Sequence, residues 1–492
     1  MANLISSLGL TADALSAYSQ VLEVTQNNVA NASTPGWAAQ NQTLESLPFE
    51  PSTGLAGGVG AGQIQSTRDE YAEQAVRAQT TLEGQANQDV SSLTSLQTLF
   101  DISGNSGIPY ALNNLLQSFS AWAQTPTDTN ARQLVITNAS DLASAFQQTA
   151  TGLSTVTTDT DQQLSQTTDQ INQLVGQVQQ ENLEIMNGGG NDAGLDAEVH
   201  SNLEQLSQYV NITVMQPANG TYTVLLGDQT PLLVGSQQYQ INVVPYQPTD
   251  AAATNTNAPP LIQLQAYDGT DITSQATSGQ LGSLLQFRNT TLPSYVGDAY
   301  EAGDLNTLAQ GIASNVNQIL ESGNVSDADP TTGAAAVPGV PLFTYDTNNP
   351  TNAAQSLAVD PSVTPDQLAA IQPAAADGST PEVSNGIPLA LSALADPQES
   401  SDEIGGQSYA EFYGQMASRV GDRLSAATNN QTVQQGAVAQ AQNIRQQVSG
   451  VDLNQEAMTM VEFQRAYDAN SRLITVLDDI TEDMINLIPT TG

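Results

Sequence analysis

The sequence predicts a mainly α-helical protein with a smaller antiparallel β unit, and three observations lead to that fold class. Apolar residues recur at helical spacing near both ends of the 492-residue chain. Between about 210 and 275 the period changes to strict alternation, which is typical of strands. Aromatic residues make up only 5% of the chain, which favours long, modestly buried helices over one large aromatic core. A chain of this length is expected to form roughly two to four domains.

The first predicted helix runs from about Leu4 to Ala32 and carries an apolar heptad repeat. Its heptad positions are Leu8, Leu15, Leu22 and Val29. The helix is expected to stop just after Ala32, because Pro35 excludes Thr34 from the α region and Gly36 permits a positive φ. Residues 38–66 are rich in Gly and Pro and are predicted to be an extended linker that can include a short strand.

The segment from Gly450 to Ile488 predicts a C-terminal helix with mostly apolar residues at alternating steps of three and four. The stripe consists of Met460, Phe463, Tyr467, Asn470, Ile474, Leu477, Thr481, Met484 and Ile488. A second stripe beside it consists of Leu473, Ile480 and Leu487. A helix that is apolar over so much of its circumference needs a partner. We therefore expect the two terminal helices to pair, and their excess apolar surface to contact neighbouring subunits.

The middle of the chain predicts further helices and a compact group of strands. The helices are expected at about 67–100, 110–124, 129–186, 193–209, 281–287, 293–322 and 408–448. Alternating residues on either side of Asn219-Gly220 predict a hairpin. The predicted domains are a terminal coiled-coil domain (1–37 and 450–492), the linker (38–66), a helical bundle (67–209, 280–323 and 401–449), the β unit (210–279) and a Pro/Gly-rich irregular excursion (324–400).

The chain is strongly acidic, with a net charge of −41 from 50 acidic and nine basic residues, all of the latter Arg. Such a field repels nucleic acid and anionic membranes, so neither is an expected partner. No stretch approaches the ~20 apolar residues of a spanning helix, and the N-terminus lacks the pattern of a cleaved secretory signal. There is no Cys, which excludes disulfides and thiolate chemistry.

The sequence offers little for catalysis or metal binding. Without Lys there is no phosphate-binding loop of the Gly-Lys type, and no Gly-x-Ser-x-Gly elbow is present. The single His200 has no Cys or second His beside it, so a structural or surface role is expected. Asp327-Ala328-Asp329 resembles the start of a calcium loop but lacks the remaining ligands. We predict no catalytic residue, cofactor or metal ligand, and an assembly role rather than an enzyme.

Two terminal motifs carry a family resemblance. The run Asn27 to Trp37 resembles the Ala-Asn-x-x-Thr-Pro-Gly-Tyr signature of the bacterial axial flagellar proteins, with Trp37 where Tyr is usual and Ala38 where Ser is common. Ser449 to Glu456 and Phe463 to Arg472 are similar to the C-terminal signature that those proteins share. The segments Gly279–Arg288 and Gly406–Tyr413, with the long helical stretch before them, resemble the flagellar hook-associated protein 1 (FlgK) family.

This resemblance implies a structural subunit at the junction of hook and filament, outside the cell, assembled as a ring of identical subunits. It implies type III export without cleavage, with terminal helices that are disordered until they assemble. The implied partners are further copies of the chain, the hook protein, a second junction protein below the filament, and an export chaperone on the C-terminal helix. The implied subunit-assembly residues are Leu8, Leu15, Leu22, Val29, Asn31, Thr34, Pro35, Gly36, Met460, Phe463, Tyr467, Ile474, Leu477 and Met484.

Other functions remain open at this point. A flagellin-like filament subunit, or a hook or rod subunit, shares the helical ends, although flagellin lacks the Thr-Pro-Gly motif and hook and rod proteins have a largely β middle. A surface adhesin also remains open. An outer domain that binds or hydrolyses glycans predicts a pocket with convergent polar groups within residues 210–400.

Overall fold

The computed structural model describes residues 2–48, 57–100, 104–217, 219–327, 331, 334–374 and 382–486, and it confirms the mainly helical fold class with small antiparallel sheets. The helices are α1 (Ala2–Asn31), α2 (Glu70–Gln97), α3 (Gly107–Gln124), α4 (Thr129–Glu184), α5 (Ala193–Tyr209), α6 (Gly279–Gln286), α7 (Pro293–Val296), α8 (Asp304–Glu321), α9 (Ala353–Ser356), α10 (Gly386–Ala393), α11 (Tyr409–Ser449) and α12 (Leu453–Asn486). The long helices α4, α11 and α12 lie where the helical periodicity of apolar residues predicts them.

The strands form small sheets in which every described pairing is antiparallel. The strands are β1 (Gln40–Ser46), β2 (Val59–Ser66), β3 (Ile212–Met215), β4 (Thr223–Leu226), β5 (Thr230–Val234), β6 (Gln237–Gln238), β7 (Asn242–Tyr246), β8 (Leu261–Gln265), β9 (Asn324–Ser326), β10 (Val337–Pro338), β11 (Phe343–Thr344) and β12 (Ala358–Val359). Strands β3 to β6 form one sheet in sequence order, and the others pair two by two.

The chain divides into two compact units. Unit 1 consists of Met1–Glu83, Asn172–Tyr239 and Gln434–Gly492. Unit 2 consists of Gly84–Ile171 and Gln240–Val433. This division separates the β3–β6 sheet from the β7–β8 pair, whereas the sequence predicts one β unit over 210–279. The five predicted domains remain a prediction.

In unit 1, the C-terminal part of α4 packs with α5 and the β3–β6 sheet around buried apolar residues. The predicted hairpin between β3 and β4 is present, and Gly220 has the positive φ, 81°, that the turn requires. Asn182, which is fully buried, fixes the sheet to the helix through its side chain. Its Nδ2 donates to the carbonyls of Tyr222 and Gly235 at 2.8 and 2.7 Å, and its Oδ1 accepts from the Tyr222 amide at 2.7 Å.

Unit 2 is built on an apolar core between helices. Its largest fully buried side chains include Trp122, Phe119, Phe146, Tyr295 and Tyr409. The α4 heptad predicted from the sequence is buried at Leu164, Thr167 and Ile171, and it continues into unit 1 at Leu174 and Val178. On α11 the predicted face is buried at Tyr409, Met416 and Val420, with Phe412 and Leu424 packed beside it.

Two predictions of local structure are wrong. The segment predicted as a linker contains the β1–β2 hairpin strands, which pair from Gln40 with Ser66 to Ser46 with Val59. The helix predicted over 293–322 is interrupted between α7 and α8, because Gly297 and Gly303 adopt positive φ values of 83° and 80°. A Cβ at Gly297 would lie 2.2 Å from the Ala302 carbonyl oxygen, so the chain passes through a loop that only glycine permits there.

The predicted irregular region, 324–400, contains short strands and α10, and its apolar segments are part of the unit 2 core. Leu342, Phe343, Leu357 and Leu391 are buried there. Its residues 328–330, 332–333 and 375–381 lie outside the described residues, and with them two positions of the calcium-loop-like triplet.

Candidate assembly surface of the terminal helices

The two terminal helices form an antiparallel pair within unit 1, as the apolar stripes predict. The rings of Tyr18 and Phe463 lie 5.7 Å apart, and Asn28, closer to the C-terminal end of α1, contacts Glu456, closer to the N-terminal end of α12. As residue numbers fall along α1, they therefore rise along α12. The pairing places the first and last helices of the chain side by side.

The inner face of α12 is the stripe that the sequence predicts. Its half-buried positions include Met460, Phe463, Asn470, Ile474, Leu477 and Thr481. Tyr467 and Met484, also on the predicted stripe, are 39% and 37% exposed, and Leu487 and Ile488 lie outside the described residues. No residue between Leu453 and Asn486 is fully buried. One partner helix therefore covers α12 only in part.

On α1 the buried positions differ from the predicted apolar heptad. Leu8, Leu15 and Leu22 are half-buried and Val29 is 40% exposed. The buried side chains are smaller: Thr11, Ala14, Ala17, Val21, Thr25 and Asn28. Small side chains allow α1 to lie close to α12 and to β1 and β2, all of which it contacts. The larger heptad side chains lie at the edge of this contact, where they keep accessible apolar surface.

Asn28 connects three segments that are far apart in the sequence. Its Oδ1 accepts from the Gln40 amide at 2.9 Å, and its Nδ2 donates to the Gln40 carbonyl and to Glu456 Oε1, both at 2.8 Å. At the start of β1, the Asn28 side chain thus makes the backbone hydrogen bonds that a neighbouring strand would otherwise make. It also connects β1 to α12. Asn28 is 1% exposed, so these bonds form away from water.

The Thr-Pro-Gly turn after α1 is held by local hydrogen bonds and by α5. Thr34 Oγ1 donates to Asn31 Oδ1 at 3.1 Å, and the Trp37 amide donates to the Thr34 carbonyl at 3.2 Å. Gly36 has a φ of 75°, and a Cβ there would lie 2.1 Å from the Ala197 carbonyl oxygen. Thr34 and Pro35 are exposed, whereas Asn31 and Gly36 are half-buried.

The C-terminal signature forms the connection between α11 and α12. Ser449, which is 2% exposed, accepts from the Ala39 amide at 2.9 Å through its carbonyl and from the Asp69 amide at 3.0 Å through Oγ. Asp452 caps α12, since its Oδ1 accepts from the Asn454 amide at 2.9 Å. A Cβ at Gly450 would lie 2.4 Å from the Gln446 carbonyl oxygen. The two family-like motifs therefore meet in space.

A partly buried ionic cluster that the sequence did not predict supports this junction. Arg68 donates to Glu73 Oε1 at 2.6 Å, to Asp196 Oδ2 at 2.7 and 2.9 Å, and to the Gly36 carbonyl at 2.7 Å. Glu73 also accepts from Arg445 at 3.2 Å, and Arg445 donates to Glu204 at 2.6 Å. Since these residues lie before α2 and on α2, α5 and α11, the cluster joins them around the Thr-Pro-Gly turn.

The single histidine lies within this cluster. His200 is 1% exposed, and burial, followed by the nearby charges of Arg68, Arg77 and Arg445, holds its pKa well below the usual value. Its Nε2 lies 3.2 Å from the Tyr222 hydroxyl. The imidazole is therefore neutral near pH 7. Among the residues that the structure describes, no group of three or more His, Cys, Asp or Glu side chains has the geometry of a metal site.

A groove of ≈ 570 Å³ borders the same turn. Its lining includes Asn31, Thr34, Trp37 and Glu181. Glu181 is 7% exposed and accepts from Asn202 Nδ2 at 2.6 Å. Burial, with a smaller effect of the neighbouring carboxylates Glu198 and Glu184, raises the pKa of Glu181 to about 7, although the Asn202 bond opposes the shift.

Exposed apolar side chains occur on more than one side of α12. They are Leu453, Met458, Val461, Leu473, Val476, Ile480 and Ile485. A shallow recess on this helix is lined by Ala457, Met458, Val461, Glu462 and Arg465. Within the described ranges, none of the helices is both long and apolar enough to cross a membrane. Exposed apolar surface along a helix of this length is typical of a surface that binds another protein.

Comparison with known families gives two matches within the chain. Residues 93–335 match the flagellar hook-associated protein FlgK helical domain, and residues 445–487 match the flagellar basal body rod FlgEFG protein C-terminal family. The first match covers the helical middle, and the second covers the end of α11 together with α12.

Individual relatives extend over nearly the whole chain. It is 24% identical to the flagellar hook-associated protein 1 of Bacillus subtilis over 96% of both chains. It is 23% identical to the protein of that name from Escherichia coli over 96% of this chain and 98% of the relative. The structure of the flagellar hook junction protein FlgK from Burkholderia pseudomallei superposes with a TM-score of 0.59 at 17% identity, over 77% of this chain and 100% of that chain. This last likeness concerns the fold.

Proposed function

We propose that this chain, which belongs to the flagellar hook-associated protein 1 (FlgK) family, is a non-catalytic structural subunit that joins the hook to the filament of a bacterial flagellum. The family match over 93–335 favours this position over that of a rod or hook subunit, whose C-terminal segment it shares. It also disfavours a flagellin-like filament subunit. The extracellular junction is its proposed location, reached by type III export without cleavage of the N-terminus.

One observation carries the assembly part of this proposal: α12 is a 34-residue helix without a fully buried residue. A helix in which apolar side chains remain exposed on more than one face is stabilised only when further surfaces cover it. Neighbouring copies of the chain are the proposed cover, arranged as a ring. The half-buried heptad of α1, at Leu8, Leu15 and Leu22, together with the more exposed Val29, adds apolar surface beside it.

Further contacts follow from the same proposal. The hook protein lies on one side of the ring, and a second junction protein below the filament lies on the other. Before export, a cytoplasmic chaperone covers α12, since the exposed apolar residues of that helix would otherwise promote aggregation. The exposed Thr34 and Pro35 of the Thr-Pro-Gly turn are proposed to contact a neighbouring subunit.

A deletion strain tests the position on the flagellum. Cells that lack the gene are expected to form hooks without filaments, and a plasmid copy is expected to restore the filaments. Electron microscopy of isolated hooks measures the fraction that carry filaments. Normal filaments in the deletion strain would contradict the junction function.

A further inference from the structure

The dipeptide Asn-Gly occurs three times in the sequence, at Asn187-Gly188, Asn219-Gly220 and Asn385-Gly386. At this dipeptide a backbone amide can attack the preceding side chain with little hindrance, because glycine has no Cβ. The reaction requires the asparagine side chain and the glycine amide to rotate into contact. Hydrogen bonds that hold either group therefore protect the dipeptide, and the three dipeptides differ in these bonds.

Both reacting groups of Asn385-Gly386 are held. Asn385 Nδ2 donates to the Ala123 carbonyl at 2.8 Å, and the Gly386 amide donates to the Val383 carbonyl at 3.1 Å. Gly386 is buried at the start of α10, and a Cβ there would lie 2.4 Å from the Cβ of Gln372. Rotation at this dipeptide would break both bonds and disturb the packing of α10.

Asn219-Gly220 is held by the hairpin turn in which it lies. Asn219 Oδ1 accepts from the Thr221 hydroxyl at 3.0 Å and from the Thr221 amide at 3.3 Å, and the Gly220 amide donates to the Pro217 carbonyl at 2.9 Å. The turn packs against the end of α4, since a Cβ at Gly220 would lie 3.6 Å from Ile185 Cγ2. These bonds fix both reacting groups, although Asn219 is exposed.

Asn187-Gly188 lies at the end of α4, where the helix passes into a single π turn, Ile185–Gly189. Gly188 departs from helical geometry with a φ of 106°, and outside the backbone of the helix a Cβ there would have no atom within 4 Å. Asn187 is exposed, and its side chain forms no hydrogen bond with any residue that the structure describes. Because the last turn of a helix opens at low cost in free energy, fraying alone is sufficient to release the Gly188 amide.

We infer that Asn187 is a site of spontaneous modification at which the chain itself supplies the nucleophile. The Gly188 amide nitrogen, after hydroxide has taken its proton, attacks Asn187 Cγ and closes a succinimide ring. The bond from Cγ to Nδ2 breaks, and this nitrogen takes a proton from water and leaves as ammonia. Water then opens the ring at either carbonyl to give aspartate or isoaspartate. The inference is independent of the proposed junction function.

The modification changes unit 1 in two ways. It places a carboxylate at the C-terminal end of α4, where the negative end of the helix dipole makes a negative charge unfavourable. Isoaspartate also leads the backbone through the side chain, which lengthens the connection between α4 and α5. Because both helices pack with the β3–β6 sheet, unit 1 is the part of the chain expected to change as the protein ages.

Peptide mapping by mass spectrometry tests the site. The unaltered chain is kept at pH 8 in water labelled with heavy oxygen, so that each new carboxylate carries the label. In the folded chain, Asn187 is expected to convert about tenfold faster or more than Asn219 or Asn385, because those two must first break several hydrogen bonds. A sample unfolded in urea gives a reference rate for each dipeptide, which removes the effect of neighbouring residues.

Two variants provide a second measurement on the intact chain. Each conversion replaces a neutral carboxamide with a carboxylate, so ion-exchange chromatography separates the modified chain as a more acidic species. Asn187→Gln is expected to remove most of this species. Asn191→Gln is the matched control, because Asn191 is also exposed but is followed by Asp192, and this variant is expected to leave the species unchanged.

Three results would overturn the inference. The first is that Asn219 or Asn385, relative to its own rate in urea, converts in the folded chain as fast as Asn187. The second is that Asn187 converts only in urea, and the third is that the acidic species persists undiminished in Asn187→Gln. None of these results bears on the junction function, which the deletion strain tests separately.

Discussion

At the scale of single residues, Asn28 connects α1 to both β1 and α12. Its one side chain makes three hydrogen bonds, to both backbone groups of Gln40 and to Glu456. A hydrophobic side chain of similar size would leave these partners unpaired in a buried site, where each lost bond is costly. The residue therefore serves as a connector between β1 and α12.

Replacement of this residue is predicted to weaken unit 1. For Asn28→Ala we expect a loss of about 2–3 kcal/mol in the free energy of unfolding, because a buried polar network loses its central member. Urea unfolding followed by circular dichroism measures the change. The matched control is Asn27→Ala, at the exposed neighbouring position, which is expected to change the free energy by less than about 0.5 kcal/mol. Equal effects of the two variants would contradict the assigned role.

Glu181 predicts a pH dependence of stability. Its pKa is raised to about 7 in the folded chain, chiefly by burial, from an ordinary value of 4.5. Between these two pH values the folded state binds a proton that the unfolded state has released, so stability falls as pH rises and stays reduced above about 7. Glu181→Gln removes this loss while keeping an acceptor for Asn202.

The expected result is that Glu181→Gln is more stable than the unaltered chain at pH 8, by on the order of 1 kcal/mol, and that the advantage shrinks toward pH 4.5. Urea midpoints at a series of pH values measure it. Glu23→Gln, at an exposed position on α1, is the matched control for the removal of one carboxylate. If the difference in stability between Glu181→Gln and the unaltered chain stayed constant across the pH range, the raised pKa of the buried Glu181 carboxyl would be contradicted.

At the scale of elements, the turn after α1 depends on one glycine. Gly36→Ala places a Cβ 2.1 Å from the Ala197 carbonyl and forces a left-handed φ of 75° on a residue that disfavours it. We expect a loss of about 2 kcal/mol or more in the free energy of unfolding. Gly9→Ala, where the added Cβ has no atom within 4 Å, is instead expected to stabilise α1 by about 0.5–1 kcal/mol. The decisive result is that urea unfolding shows a lower free energy of unfolding for Gly36→Ala and a higher one for Gly9→Ala.

Elements with a strong apolar period could be predicted from the sequence. The apolar periodicity predicted α4 from 129 to about 186, and in the structure this helix ends at Glu184. Strands β1 and β2 lacked such a signal, because Gln40 to Gln42 are polar and the strand is held by Asn28 rather than by an apolar face. The break before α8 was missed because the positive φ of Gly297 and Gly303 depends on contacts that no local pattern encodes.

The candidate site was predictable only in part, for the same reason. The motifs at both ends were visible, and so was the inner stripe of α12. The contact of Asn28 with Glu456 joins residues 428 positions apart, and Arg68 reaches Asp196 across 128 positions. Single polar residues carry no periodic signal, so such pairs appear only once the fold has brought their elements together.

At the scale of the whole molecule, α12 contributes little to the cores of the chain. Among the described residues, the unit 2 core extends along the chain no further than Ala427. The core that α4 and α5 form with the sheet in unit 1 includes no buried residue of α12. A chain that lacks residues 453–492 is therefore expected to keep both cores while α1, which has lost its partner, frays.

The chain has two Trp residues, and their positions make this truncation measurable. Trp122 is fully buried in unit 2, and Trp37 lies in unit 1. In a Trp37→Phe background, Trp122 fluorescence is expected to report the same unfolding midpoint for the truncated and full-length chains. Circular dichroism is expected to lose helical signal from both α12 and α1.

In the deletion strain the truncated chain is expected to restore no filaments, since the surface that neighbouring copies cover is gone. Filaments on the hooks of a strain that carries only the truncated chain would show that assembly does not depend on α12. A lowered Trp122 midpoint would show that α12 supports the fold as well as the assembly.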